Sequence, residues 1–173
     1  ISQSGARIFE VACGPGNITR YLAQQRPDFN IEATDIAPNM IELAKSNVPT
    51  ANFRLLVARN IDQLEPGFDG IICGFGLPYF SKEDCVKFFR DCHLLLNNKG
   101  ILYFSFVPGD YERSGYQSDN NGNSIYFYYH PAEELQHQLH HHFETIATQS
   151  IDYPGKNGLT QEHMIVIARK KTN

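Results

Sequence analysis

The sequence predicts an α/β fold: a doubly wound, mostly parallel seven-stranded sheet with helices on both faces and a C-terminal antiparallel strand pair. Three observations predict it. From Ala6 to Val107 short apolar, β-branched runs alternate with amphipathic segments, the rhythm of parallel βαβ units. The first run ends in a glycine turn that leads straight into a helical segment. The chain closes with two strand-like runs, near Glu144–Ile151 and Glu162–Arg169, joined by a Pro154-Gly155 turn that pairs them antiparallel.

Each element has a local reason. Ala6–Ala12 is a buried-strand pattern, and Asn17–Gln25 follows as a helix with Asn17 as N-cap and Arg26-Pro27 as the stop. Asn30–Asp35 is the second strand. Pro38 opens a helix through Asn47, in the first turn where proline is tolerated. Phe53–Val57 is the third strand, followed by a short crossover to Pro66-Gly67 and a fourth strand, Phe68–Gly74. Ser81 and Asp84 form a capping box, with Asp in the Glu position, opening a helix to about Leu96. Its apolar stripe is Val86, Phe89, Cys92 and Leu96. Asn97–Gly100 turns the chain into the fifth strand, Ile101–Val107. Pro108–Ser124 reads as a long loop, with Asp119–Ser124 turning a hairpin into the strand-prone Ile125–Tyr129. Pro131–His142 is a helix with Leu135, Leu139 and Phe143 on one stripe.

Composition bounds the function. The chain has 173 residues, 15 Lys+Arg against 19 Asp+Glu and a net charge of −4, which predicts one domain over 1–173 with a sizeable core. A hydrophobic share of 42% argues against wholesale disorder. Mild acidity without a basic block leaves no electrostatic footprint for nucleic acid. The longest apolar runs, Ile101–Val107 and Met164–Ala168, fall short of the ~18–20 residues of a membrane span, and no signal peptide is visible. Cys13, Cys73, Cys85 and Cys92 form no CxxC pair and sit in apolar or helical surroundings, as free thiols in a reducing compartment do. These features predict a soluble, cytoplasmic protein. The chain opens on Ile1 and reaches its first strand within about five residues, so an N-terminal segment is expected upstream.

The chemistry lies in Ile8–Asn17, IFEVACGPGN. A strand ends in Glu10, and Gly14 and Gly16 turn into a helix, where glycine lets the backbone approach a ligand closely. The helix N-terminus behind it offers free N–H groups. About twenty residues on, the second strand ends in Asp35, placed to accept hydrogen bonds from a ribose diol. The combination points to a nucleoside-containing cofactor. A dinucleotide fingerprint would need glycine where Thr19 stands, which disfavours an NAD(P)-dependent oxidoreductase.

These residues resemble the class I S-adenosylmethionine-dependent methyltransferases, whose first strand ends in an acid followed by G-x-G-x-G. Glu10 matches the acid, and Ala12, Gly14 and Gly16 match the glycine positions, with Ala12 a departure. Ala33–Lys45 is similar to the second motif; the resemblance implies Asp35 on the ribose, Ile36 on the adenine and Met40 among the cofactor residues. Phe68–Phe80 resembles the fourth-strand motif, which implies Cys73, Gly74 and Phe75 at the methionine end. Leu94–Phe106 resembles the helix, turn and fifth strand that follow. An acid that often accepts the adenine amine is replaced by Val57, or by Arg59 if the register slips, leaving backbone carbonyls near Ala58, or Asp62, to take its place. The resemblance implies S-adenosyl-L-methionine as cofactor and transfer of a methyl group to a small or medium-sized acceptor. It leaves oligomeric state open.

Methyl transfer needs proximity, orientation and water exclusion from the protein. His130 and Tyr79 are the candidate catalytic residues. His130 is placed as a general base after an aromatic run, against the alternative that it turns the chain into the next helix. Phe75, Tyr79, Tyr111, Tyr116, Tyr126 and Tyr128 form a candidate aromatic wall for a sulfonium, against packing. The segment 108–130 would cap the acceptor. His93 reads as a surface or packing residue. His137 and His141 have chelating spacing, but the Leu135–Leu139–Phe143 stripe turns most of QHQLHHHF to solvent, so no metal site is expected. GLPYF is similar to the Asn/Asp-Pro-Pro-aromatic motif of amine methyltransferases acting on nucleic-acid bases, but lacks its polar residue and first proline. The rival class is a catalytically silent homologue that binds the cofactor or a partner.

Overall fold

The computed structural model describes residues 1–118, 122, 124–154 and 160–172. Strands β1 (Arg7–Val11), β2 (Asn30–Asp35), β3 (Asn52–Leu55), β4 (Phe68–Cys73), β5 (Leu96–Phe106), β8 (Phe143–Pro154) and β9 (Thr160–Lys170) make one sheet, with β6 (Gly115–Ser118) and β7 (Ser124–Phe127) as a separate hairpin. The helices are α1 (Asn17–Gln25), α2 (Pro38–Asn47), α3 (Lys82–Leu95) and α4 (Ala132–His140). The sheet order is β3-β2-β1-β4-β5-β9-β8. Neighbours from β3 to β5 run parallel, and β9 is antiparallel to both β5 and β8. β1 lies between β2 and β4, so the winding reverses there, and the crevice outside the carboxyl ends of β1 and β4 is where such sheets take ligands.

Side-chain alternation divides the core into two faces. Phe9, Val11, Ile71, Cys73, Leu102, Phe104 and Phe106 pack under Phe88, Phe89 and Cys92 of α3 and Leu135 and Leu139 of α4. On the other face Ala6, Ile8 and Ile31 meet Leu22 and Ala23 of α1, while Cys13, Ala33, Ile41 and Ala44 join α2 to the sheet. That second face also carries a cavity of about 600 Å³, lined among others by Ile8, Tyr21, Ile72, Tyr103 and Ile167. Its lining is mostly apolar and it runs along the flank of the sheet, so it is not the polar crevice at the strand ends. All four cysteines are free and buried. Among the described residues no helix is long and apolar enough to cross a membrane.

The regular elements follow the sequence closely, and the differences have local causes. The capping box is present: Asp84 N–H donates to Ser81 Oγ at 3.2 Å and Ser81 N–H to the Asp84 carboxylate at 3.0 Å. Gly16, not Asn17, stands at the N-cap of α1, because only a residue in the left-handed region turns the chain there (φ 82°). The stripe of α3 is Cys85, Phe88, Phe89, Cys92 and Leu95, while Val86 is 49% exposed; the two adjacent phenylalanines centre the buried face on their own side of the helix. β3 stops at Leu55, short of Val57. Asn97–Gly100 does not form a separate turn: it is taken into β5 as an irregularity, with Lys99 at φ 62° and a register shift against β4. The loop after β5 holds the β6–β7 hairpin, whose arms close at Ser118–Ser124. The Asp119–Ser124 turn falls largely, and Gly155 of the Pro154-Gly155 turn wholly, outside the described residues.

Candidate functional site

The glycine loop after β1 is a run of left-handed residues: Ala12 at φ 56°, Gly14 at 54° and Gly16 at 82°. For Ala12 this conformation costs roughly 1 kcal/mol relative to glycine, since its Cβ crowds the backbone. A side chain at Gly16 would meet Ala44 Cβ at 3.3 Å, so this glycine seats the loop on α2. At Gly14 a Cβ would meet nothing within 4 Å, so the backbone there faces open space. Asp35 spans the crevice from β2, its carboxylate accepting from Gly14 N–H at 2.8 Å and Ala37 N–H at 2.9 Å. The acid that ends β2 thereby fixes the loop that ends β1.

Glu10 is 1% exposed and accepts a hydrogen bond from the Thr19 hydroxyl on α1. Burial pushes its carboxyl up to about 7; the Thr19 bond pulls the other way and the Asp35 charge adds to the rise. Glu10 therefore holds a proton for part of the time at neutral pH. Cys13, in the loop itself, is raised to about 12 by burial, with Glu10 and Asp35 adding, and stays a thiol.

The turn after β4 closes against this loop. A Cβ on Gly76 would meet Cys73 Sγ at 2.5 Å and Ala12 Cβ at 3.3 Å, and one on Gly74 would meet Ile18 Cδ1 at 2.2 Å. The Gly76 contact with Ala12 is where the β4 turn meets the β1 loop, while Gly74 faces the tip of the flexible Ile18 side chain on α1. Between the two glycines, Phe75 sits at φ 60° with its N–H bonded to Ser105 Oγ at 2.9 Å. Its ring is 43% exposed and packs edge-on against Tyr153 and His163 from the β8–β9 hairpin, at 5.6 and 5.2 Å.

The structure thus brings Glu10, Ala12, Gly14, Gly16, Asp35, Gly74 and Phe75 to one crevice. Ile36 follows Asp35 with 64% of its surface exposed, and Met40 lies half-buried on the first turn of α2. Cys73 is different: its side chain is fully buried in the core and offers the crevice only backbone. Beyond β3, Arg59 is tied to Asp84 through two bonds of 2.7 and 2.6 Å, and Asp62 pairs with Lys87 at 3.3 Å. Both side chains are thus engaged on α3, and Ala58 packs against the core on that side of the sheet.

His130 is 2% exposed, its Nε2 donating to the Leu77 carbonyl at 3.2 Å, and burial lowers its pKa. Its ring is committed to the turn that carries Tyr79, an arrangement that leaves Nε2 no free lone pair for a proton. The backbone of His130 also pairs with Val107 and Gly109, which pins together the two ends of the segment 108–130. Tyr128 N–H bonds to the Pro78 carbonyl at 2.7 Å, docking the hairpin arm on the same turn. The aromatic wall divides into three groups. Tyr79 meets Phe127 at 6.2 Å; Tyr111, Tyr128, Tyr126 and Tyr116 form a ladder; and Phe75 belongs to the Tyr153–His163 group. His93 packs on His142 and Phe143. His137 and His141 face each other at 5.2 Å, and among the described residues no cluster of three or more His, Cys, Asp or Glu is placed to hold a metal.

Sequence reasoning missed Thr19 as partner of Glu10, Ser105 as the anchor of Phe75, and Tyr153 and His163. The signal for His163 is a lone histidine inside an apolar strand run, HMIVIA.

Comparison with known proteins places these features. Residues 8–100 match the model of the methyltransferase domain family. The chain is 29% identical over 108 residues to the demethylmenaquinone methyltransferase of Thermotoga maritima, covering 62% of this chain and 46% of that one. It is 32% identical over 106 residues to the malonyl-[acyl-carrier protein] O-methyltransferase of Bacillus anthracis, covering 60% and 38%. The chain thus spans less than half the length of these curated relatives. Among solved structures, a SAM-dependent methyltransferase from Methanosarcina mazei superposes with a TM-score of 0.85 at 17% identity, covering 99% of this chain and 95% of the other.

Proposed function

Since this chain belongs to the methyltransferase domain family, we propose that it binds S-adenosyl-L-methionine and transfers the methyl group to a small or medium-sized acceptor. The observation that carries the reading is the glycine loop after β1, met by the β4 turn at Gly76 and bridged to β2 by the Asp35–Gly14 hydrogen bond. The residues there suit the cofactor. The open side of Gly14 leaves room for a ligand against the backbone. Asp35 offers carboxylate oxygens to a ribose diol, Ile36 an exposed apolar face to adenine, and Glu10 a buried acid to the cationic methionine end.

When bound, the cofactor supplies an electrophilic methyl group on a sulfonium. The chain's part is to hold, orient and dry that group. Phe75 presents an aromatic face beside the β4 turn, which favours a sulfonium through cation–π attraction of roughly 0.5–2 kcal/mol. The segment 108–130, hinged at His130 and docked through Tyr128, covers the acceptor side and carries Tyr79's neighbours. His130, with Nε2 given to the Leu77 carbonyl, ties that cover to the turn carrying Tyr79. The relatives named above are, by name, methyltransferases of demethylmenaquinone and of malonyl-[acyl-carrier protein].

Calorimetric titration with S-adenosylmethionine, S-adenosylhomocysteine and NAD tests the reading. Micromolar binding of both sulfur compounds and none of NAD is expected. Binding of NAD alone, or of none of the three, refutes it.

A further inference from the structure

Thr19 stands where a third glycine would follow Gly14 and Gly16 in a dinucleotide loop, a position at which glycine lets the helix press close to the strand. Its surroundings show what the larger residue does instead. Thr19 is fully buried, the one buried residue of α1. It shares the sheet-facing side of that helix with Leu22 and Ala23, three and four residues on, which pack on the cluster of Ala6, Ile8 and Ile31. Glu10 lies two residues after Ile8 on β1, so strand alternation turns it toward the same helix. An apolar stripe thus carries one hydroxyl, and it meets one acid: Thr19 Oγ1 donates to the Glu10 carboxyl.

The helix gains an acid from this pairing. α1 begins at Gly16 with no side chain capping its first turn and no acidic residue of its own there. Glu10 supplies one from β1: the Thr19 N–H, in that first turn, also faces the carboxyl and, with the hydroxyl, draws its pKa down. The other neighbours bring nothing positive. Asp35 faces Glu10 from β2 and raises its pKa, and the thiols of Cys13 in the glycine loop and Cys73 on β4 lie within reach of its charge. Among the described residues no cation bears on Glu10. With burial pushing it up to about 7, the acid is balanced between its two forms, and a cation that arrives beside it favours the carboxylate.

We propose that Thr19 is a positioning residue for the cofactor: its hydroxyl fixes the Glu10 carboxyl at the first turn of α1, where the acid meets the positively charged methionine end of S-adenosylmethionine. The inference rests on the cofactor reading and deepens it, since it names the residue through which Glu10 selects a charged ligand. Without the hydroxyl, the carboxyl keeps its proton to higher pH and is free to rotate out of place. A cationic ligand then loses affinity, while the neutral nucleoside part, which depends on Asp35 and the glycine loop, does not.

The test compares two probes by calorimetry on the full chain. S-adenosylmethionine carries a sulfonium and an ammonium; methylthioadenosine has the same adenosine and neither charge. Thr19→Val should weaken S-adenosylmethionine about tenfold at pH 7, the worth of one hydrogen bond to a charged group, and leave methylthioadenosine within about twofold of wild type. That loss should shrink toward pH 9, where Glu10 ionises without help. Thr19→Ser keeps the hydroxyl and should bind both probes as wild type does. Thr19→Ala removes the hydroxyl without a second methyl and gives the same comparison if the valine variant does not fold. Equal losses for the two probes mark a merely structural residue and overturn the proposal. So do unchanged S-adenosylmethionine affinity in the variants without the hydroxyl, a loss that is the same at pH 7 and pH 9, or a serine variant as weak as the valine one. A wild-type protein that binds neither probe removes the cofactor reading, and this proposal falls with it.

Discussion

Replacing Glu10 by glutamine separates the cost of a buried charge from the worth of its hydrogen bond. The carboxyl is raised from an ordinary 4.5 to about 7, chiefly by burial. At about 1.4 kcal/mol per tenfold change in acidity, the ionised native state carries a penalty of about 3 kcal/mol. The sign follows from proton counting. Below pH 4.5 both folded and unfolded chains hold the proton, and the penalty is absent. Between 4.5 and about 7 the folded chain holds more protons, so stability falls as pH rises; above that the full penalty applies. Glu10→Gln keeps an oxygen to accept from Thr19 and removes the charge. Urea unfolding at pH 5 and pH 8 should therefore show a variant about 1 kcal/mol more stable than wild type at pH 5, and about 3 kcal/mol more stable at pH 8. A stability difference that stays constant between the two pH values to within about 0.5 kcal/mol would refute the burial argument. The same proton has a functional signature. A cationic cofactor beside Glu10 favours the carboxylate, so binding at pH 7 should release a fraction of a proton, read as a dependence of calorimetric heat on the buffer's ionisation enthalpy.

The remaining predictions concern the three loops of the crevice. Ala12→Gly relieves the left-handed backbone at φ 56° and, after the flexibility that glycine adds to the unfolded chain, should stabilise the fold by about 0.5 kcal/mol; a lower denaturation midpoint than wild type would contradict the strain. Asp35→Ala removes the bridge between β2 and the glycine loop and should weaken S-adenosylhomocysteine binding at least about tenfold, by loss of charged hydrogen bonds; unchanged calorimetric affinity would remove Asp35 from the ribose. Gly76→Ala places a methyl 2.5 Å from Cys73 Sγ and 3.3 Å from Ala12 Cβ, and should cost about 1–3 kcal/mol in urea unfolding together with cofactor affinity. A Gly76→Ala protein with wild-type stability would show that the β1 and β4 loops are less closely joined.

Much of this molecule is legible in local sequence. Asn30–Asp35 has the same bounds in sequence and structure, and the helix with Pro38 in its first turn ends at Asn47 in both, because β-branched residues, a proline near a helix start and a glycine turn act within a few positions of themselves. The glycine loop was legible for the same reason: Glu10, Gly14, Gly16 and Asp35 are tied to the ends of two adjacent strands, where chain direction alone brings them together. Val86 and Asn17 were misread because neighbouring positions compete. A stripe centred on Val86 and one centred on Phe88 differ by only part of a helical turn, and the packing of α3 on the sheet chooses between them.

The surroundings of Phe75 and His130 could not be read this way. Phe75 and His163 are far apart in sequence and meet because β9 inserts antiparallel between β5 and β8. His130 reads in sequence either as a base or as a turn into the next helix, and the fold carries Leu77 to its Nε2. The aromatic residues that sequence grouped into one wall were divided by which strand face or turn each occupies. Local periodicity and backbone chemistry thus determined the order of the elements, the glycine crevice and the acids beside it. Tertiary structure alone decided that His130 was spent on a carbonyl and that Phe75 met His163, since that depends on contacts between segments with no common sequence neighbourhood.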